Sequence, residues 1–172
     1  MLERGVTQII DDALEQNVFG DAFLFREGQR EVIEAICNHY LQDPEGTVIL
    51  DAPTGSGKSL IAMWSAHVLK ELGKRGYLVT SDLMLQDQYE EDFKQFKLDW
   101  PSIRGVDNYN CNVNDLPFSL ADCKMKGIGY EQAEKLKCWG TCGYLQARRR
   151  AKELPVALFN YSYYLIQRNY VE

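Results

Sequence analysis

No apolar run in the 172 residues approaches the roughly 18 needed to cross a membrane as a helix. The chain opens Met1-Leu2-Glu3-Arg4 and continues in acidic, amphipathic sequence without the apolar core of a secretory leader. We therefore expect an intracellular protein, cytoplasmic or, in a nucleated cell, nuclear, with no membrane partner. Repeats and low-complexity linkers are lacking, which excludes a solenoid or a tethered array. The length allows one core, or one domain carrying an insertion, but not two large domains. Histidine is scarce: only His39 and His67 occur. The five cysteines of an intracellular chain are expected as thiols, open to metal and not committed to structural disulfides.

What is present divides by charge. The formal net charge is -6, which at face value opposes a nucleic-acid partner, but the distribution is uneven. Between Arg104 and Lys152 stand nine Lys and Arg against five acids, a local balance of +4. The remainder carries -10. Screening confines such interactions to about 10 Å, so a basic stretch can grip a phosphate backbone despite an acidic whole.

The centre of the sequence is Ala52-Pro53-Thr54-Gly55-Ser56-Gly57-Lys58-Ser59, preceded by the apolar run Thr47-Val48-Ile49-Leu50 and followed by a helical pattern from Leu60 to Leu72. Strand, glycine loop and helix start in that order read as a phosphate-binding loop. Gly55 and Gly57 allow the backbone N–H groups of the loop to approach phosphate oxygens, and the helix start adds partial positive charge. Lys58 and Ser59 are the candidate catalytic residues, Lys58 reaching outer phosphates and Ser59 holding Mg²⁺. The leading glycine of the general pattern is replaced by Ala52.

Periodicity supplies the surrounding elements. Val6, Ile9, Ile10, Ala13 and Leu14 predict a helix over 4–17, ended by Asn17 or Gly20, and Val32, Ile33, Ile36, Cys37 and Tyr40 predict a second. Thr47–Leu50 and Tyr77–Thr80 are expected as strands of a parallel βαβ unit. Leu85, Tyr89, Phe93 and Phe96 predict a helix over 83–96 with a buried aromatic face, and Pro155–Phe159 a buried strand. The plan is α/β. Cys37 sits in an apolar helix and reads as core.

Between Asp99 and Gly143 periodicity weakens. Cys111, Cys123, Cys138 and Cys142 occur within 32 positions, and neither histidine is near. Four thiolates suit a tetrahedral zinc ion or an iron–sulfur cluster; their spacing does not choose between them and leaves four metal-free thiols open as a third reading.

Taken together, these motifs resemble the front part of the DinG/XPD family of superfamily 2 iron–sulfur DNA helicases, from about Phe25 to the end. Phe25-Arg26-Glu27-Gly28-Gln29 is similar to the family's adenine-reading segment, Asp51 to Ser59 to its first motor motif, where Ala52 is normal, and Leu78-Val79-Thr80-Ser81 to the next motif, which contacts DNA backbone. Arg104 to Cys111 and Cys142 to Arg148 resemble the two ends of the family's cluster domain. Relatives follow the asparagine at Asn160 with histidine, whereas Tyr161 stands here.

The resemblance implies a RecA-like P-loop parallel sheet with helices on both faces, interrupted by a small Cys-rich, mostly helical or irregular iron–sulfur domain. It divides the chain into a motor part at 1–98, an insertion at 99–154 and a return strand and helix at 155–172. ATP would lie on Arg26, Gln29, Thr54, Gly55, Ser56, Gly57, Lys58 and Ser59, Mg²⁺ on Ser59, and a [4Fe-4S] cluster, preferred over zinc, on the four cysteines. Thr80, Ser81, Tyr109, Arg148, Arg149 and Arg150 would meet single-stranded DNA at a duplex junction, and polarity would be 5′ to 3′. The family's acidic Mg²⁺ motif and its second motor domain do not occur before Glu172. Loss of an arginine finger costs about 10³ to 10⁵ in rate, so this chain alone is expected to have negligible ATPase. The alternative is a non-hydrolysing module that binds nucleotide and nucleic acid on a zinc scaffold.

Overall fold

The computed structural model describes residues 5–21, 23–133 and 135–170. It forms two compact units, one of 1–78 with 87–99 and one of 79–86 with 100–172.

The first unit is built on helices α1 (Val6–Glu15), α2 (Gln29–Gln42) and α3 (Lys58–Glu71), which pack on one another. At 10 residues α1 is too short to persist alone, since isolated helices need about 12–15. Its apolar stripe supplies the missing stability: Val6, Ile9, Ile10 and Ala13 are all buried, and each large side chain so placed contributes about 1.5–3 kcal/mol. The chain leaves α1 through Asn17, which takes the left-handed conformation that asparagine tolerates. Beyond it Phe19 stacks on Trp64 of α3 at 4.3 Å between ring centroids and meets Phe96 at 5.5 Å. Cys37 is fully buried, as its apolar helix predicts.

One expected element is missing. Thr47–Leu50 runs without strand pairing, and Ile49 is 89% exposed. A strand exists only through hydrogen bonds to a neighbour, and this run is not among the paired strands of the described sheet, so its apolar pattern alone does not make it one. The βαβ unit expected between it and Tyr77–Thr80 is therefore not formed.

A sheet of order β1-β3-β2 is formed by β1 (Gly76–Thr80), β3 (Val156–Asn160) and β2 (Ser102–Ile103). Strands β2 and β3 are parallel, with Ser102 opposite Leu158 and Ile103 opposite Phe159. Val156, Ala157 and Leu158 are all buried, the continuous apolar pattern of a covered parallel strand. The α/β class and parallel sheet read from the sequence are thus present. Helix α4 (Leu83–Gln95) starts at Asp82, whose Oδ1 accepts the Leu85 N–H at 2.8 Å and so satisfies one orphan donor of the first turn. Two four-residue helices, α5 (Asp122–Met125) and α6 (Tyr130–Ala133), precede α7 (Gly143–Glu153), which packs on β2 and β3. Asn160 caps the last helix, α8 (Tyr161–Tyr170), by accepting the Tyr163 N–H at 2.7 Å. Among the described residues no helix is long and apolar enough to cross a membrane.

Candidate nucleotide-binding site

Gly55 and Gly57 both adopt φ of +83°, a left-handed conformation that strains any residue with a Cβ. At Gly57 space is also required, because a Cβ there would lie 2.5 Å from Gln29 Nε2. The glycine thus lets the loop lie against the start of α2. Gln29 is buried, its Nε2 donates to the Ser56 carbonyl at 2.9 Å, and its Oε1 accepts the Arg26 N–H at 2.9 Å. The two bonds use one of the amide's two N–H donors and one lone pair of its oxygen. Arg26 reinforces the link through Nη1 to the Gly55 carbonyl at 2.6 Å. Residues 26 and 29 are in this way bound to a loop some 27 residues later in the chain.

Helix α3 begins at Lys58 directly after Gly57, and no side chain caps its first turn. Uncapped N–H groups at a helix start carry partial positive charge and suit an anion. The Lys58 ammonium donates to the Ala52 carbonyl at 2.8 Å and the Pro53 carbonyl at 2.9 Å, folding back over the loop it follows. Ser59, half-buried, is hydrogen-bonded to the Tyr89 hydroxyl. Burial pushes the Tyr89 phenol up and the Ser59 bond moderates the rise. Sequence reasoning assigned Tyr89 only to the core; its contact with Ser59 has no signature in the spacing of aromatics. Thr54 and Gly55 are exposed and Ser56 half-buried.

The other candidates lie in the second unit. Thr80 is buried, and its hydroxyl bonds to the carbonyls of Asp82 at 3.2 Å and Phe159 at 3.5 Å. Ser81 is exposed and donates to Asp82 Oδ2 at 3.2 Å. Tyr109 is half-buried: its hydroxyl accepts the Arg104 N–H at 3.1 Å and its ring packs edge-on against Tyr144. On α7, Arg148 is half-buried whereas Arg149 and Arg150 face solvent.

Cys111 and Cys142 belong to one buried cluster with Phe118, Tyr144 and Leu145, and Cys123 packs against it. A bond from Asn112 Nδ2 to the Thr141 carbonyl ties the chain beside Cys111 to that beside Cys142, and the Cys142 N–H donates to the Cys138 carbonyl at 2.9 Å. Burial raises the thiols of Cys123 and Cys142, and neighbouring thiols add to it: Cys111 and Cys138 act on Cys123, and Cys138 and Cys123 on Cys142. The four are a donor set of the right kind in one neighbourhood. They do not fit a metal group as positioned: among the described residues no three His, Cys, Asp or Glu side chains stand so as to hold a metal ion. The expected cluster therefore finds no support in ligand geometry.

A glycine loop opening a helix, tied to an upstream glutamine, defines a helicase-like nucleotide-binding domain. Residues 22–125 match the family of the type III restriction enzyme, res subunit, and the chain belongs to that family. A comparison with curated proteins finds no match.

Proposed function

We propose that this domain binds ATP as one motor domain of an ATP-dependent DNA helicase, working with a second RecA-like domain. The supporting observation is the junction of Gln29 with Ser56 across Gly57, which couples a base-reading amide to the phosphate loop. Lys58 would exchange its carbonyl partners for phosphate oxygens, Ser59 would contribute its hydroxyl to Mg²⁺, and Tyr89 would hold Ser59 in place. Single-stranded DNA would run over Arg149 and Arg150. Fluorescent-nucleotide titration tests the reading. Hydrogen bonds to charged groups are worth about 1.5–3 kcal/mol, so Lys58→Ala should weaken ATP about 10- to 100-fold, and Gln29→Ala should erase the preference for ATP over GTP. Equal affinity of wild type and Lys58→Ala would overturn it.

The gathering of Cys111, Cys123 and Cys142 around one buried cluster favours a finer reading. In it, residues 99–154 form an inserted domain of the DinG/XPD type, with 5′ to 3′ polarity, whose four thiols converge on a [4Fe-4S] cluster or on zinc.

A further inference from the structure

A cleft of about 570 Å³ lies in the first unit, between α2, α3 and the first residues of β1. Ala62, Ser65, Ala66 and Leu69 recur at helical spacing and form one wall, with Ile36 and Tyr40 of α2 among the residues that complete it. Its size is within the range of small-molecule sites, about 300–1,000 Å³, and its walls are mostly hydrocarbon. Its rim does not single out a ligand of one sign. Lys70 is bonded to Glu71 at 2.9 Å, and Arg75 has an interaction of its own within the fold. Lys74 is exposed, and the lining residue Pro44 stands between Asp43 and Glu45 in the chain. Ser65 is the feature that points to a ligand. It is more than nine-tenths buried; its carbonyl accepts the Cys37 thiol at 3.8 Å, but its hydroxyl has no hydrogen-bond partner among the described residues. A buried hydroxyl without a partner is costly, and a bound molecule that supplies the missing bond removes that cost. Turning the hydroxyl to face such a molecule needs a single side-chain torsion.

We propose that this cleft binds a small neutral alcohol, its hydrocarbon part lying along Ala62, Ala66 and Leu69 and its hydroxyl bonded to that of Ser65. A hydroxyl both donates and accepts, so an alcohol completes Ser65 whichever way the serine O–H turns. A carboxylate or an ammonium on a chain of equal length must give up hydration to reach so buried a group, which sets both below the alcohol. The site does not depend on the nucleotide reading and stands or falls separately.

Calorimetric titration of the chain with octanol, octanoate and octylammonium, below their solubility and aggregation limits, tests this. Octanol should bind one-to-one and both ions more weakly. Ser65→Ala should weaken octanol about 3- to 10-fold, the scale of one net hydrogen bond, and leave the two ions unchanged. Without ligand the same variant should melt no lower than wild type, because it removes a hydroxyl that has no partner. Ala66→Phe should fill the cleft and abolish binding with the circular dichroism unchanged; if it does not fold, Ala62→Leu serves the same purpose. Absence of octanol binding, an ion bound as tightly as octanol, or octanol affinity untouched by Ser65→Ala would overturn the proposal. So would a lower melting temperature of free Ser65→Ala, or undiminished octanol binding by a folded cleft-filling variant.

Discussion

His67 is buried on α3 with its ring edge-on to Phe19 at 5.7 Å and Trp64 at 6.3 Å, and its Nδ1 has no hydrogen-bond partner among the described residues. Burial among these rings lowers its pKa to about 4, and nearby Lys70 adds to the effect. The folded chain thus keeps the imidazole neutral while the unfolded chain protonates it near pH 6.5. Unfolding then takes up a proton between those values, so stability is full above pH 6.5 and falls as pH drops towards 4. By pH 4.5 the loss is about 2–3 kcal/mol at 1.36 kcal/mol per unit. Urea unfolding of wild type and His67→Phe at pH 7 and 4.5 should show the variant losing less by that amount. Equal losses in the two proteins would place the acid sensitivity elsewhere. Cys37, by contrast, is pushed up to about 12 by burial and stays a neutral thiol across this range.

At the scale of elements, the short pieces between β2 and α7 are held by one local contact, the bridge between Asn110 and Pro117, and one distant in sequence, Asn112 with Thr141. If this region carries a metal, iron and sulfide or zinc should be found in about stoichiometric amount in anaerobically purified chain, and Cys111→Ser should lower it while nucleotide binding is kept. Metal-free protein with four titratable thiols in the same preparation would rule out both groups. The same region shows where sequence pattern runs out. Helices α1 to α4 are legible because their apolar residues repeat at helical spacing, and β3 because its run is short, apolar and preceded by proline. The two residues of β2 and the four-residue helices carry no period, and Thr47–Leu50 carries the pattern without the pairing. The phosphate loop was legible because its residues are contiguous. The Ser59–Tyr89 contact was not, since it joins residues 30 positions apart.

For the molecule as a whole, charge is segregated along the chain, +4 between Arg104 and Lys152 and -10 in the remainder. Binding of single-stranded DNA through the basic stretch should be strongly salt-dependent, with log affinity falling by about 0.7 per neutralised phosphate on the log-salt scale. Anisotropy titrations over a range of salt should give a shallower slope for Arg149→Ala with Arg150→Ala, by roughly one to two, at all sequences alike. A slope unchanged by the double substitution would remove α7 from the DNA path.

Lys58 spans the carbonyls of Ala52 and Pro53. Its positive charge therefore acts as an internal counter-ion to the two carbonyl dipoles of the loop. In the nucleotide-binding reading proposed above, capture of a triphosphate would be a swap of partners in place of a docking into open space.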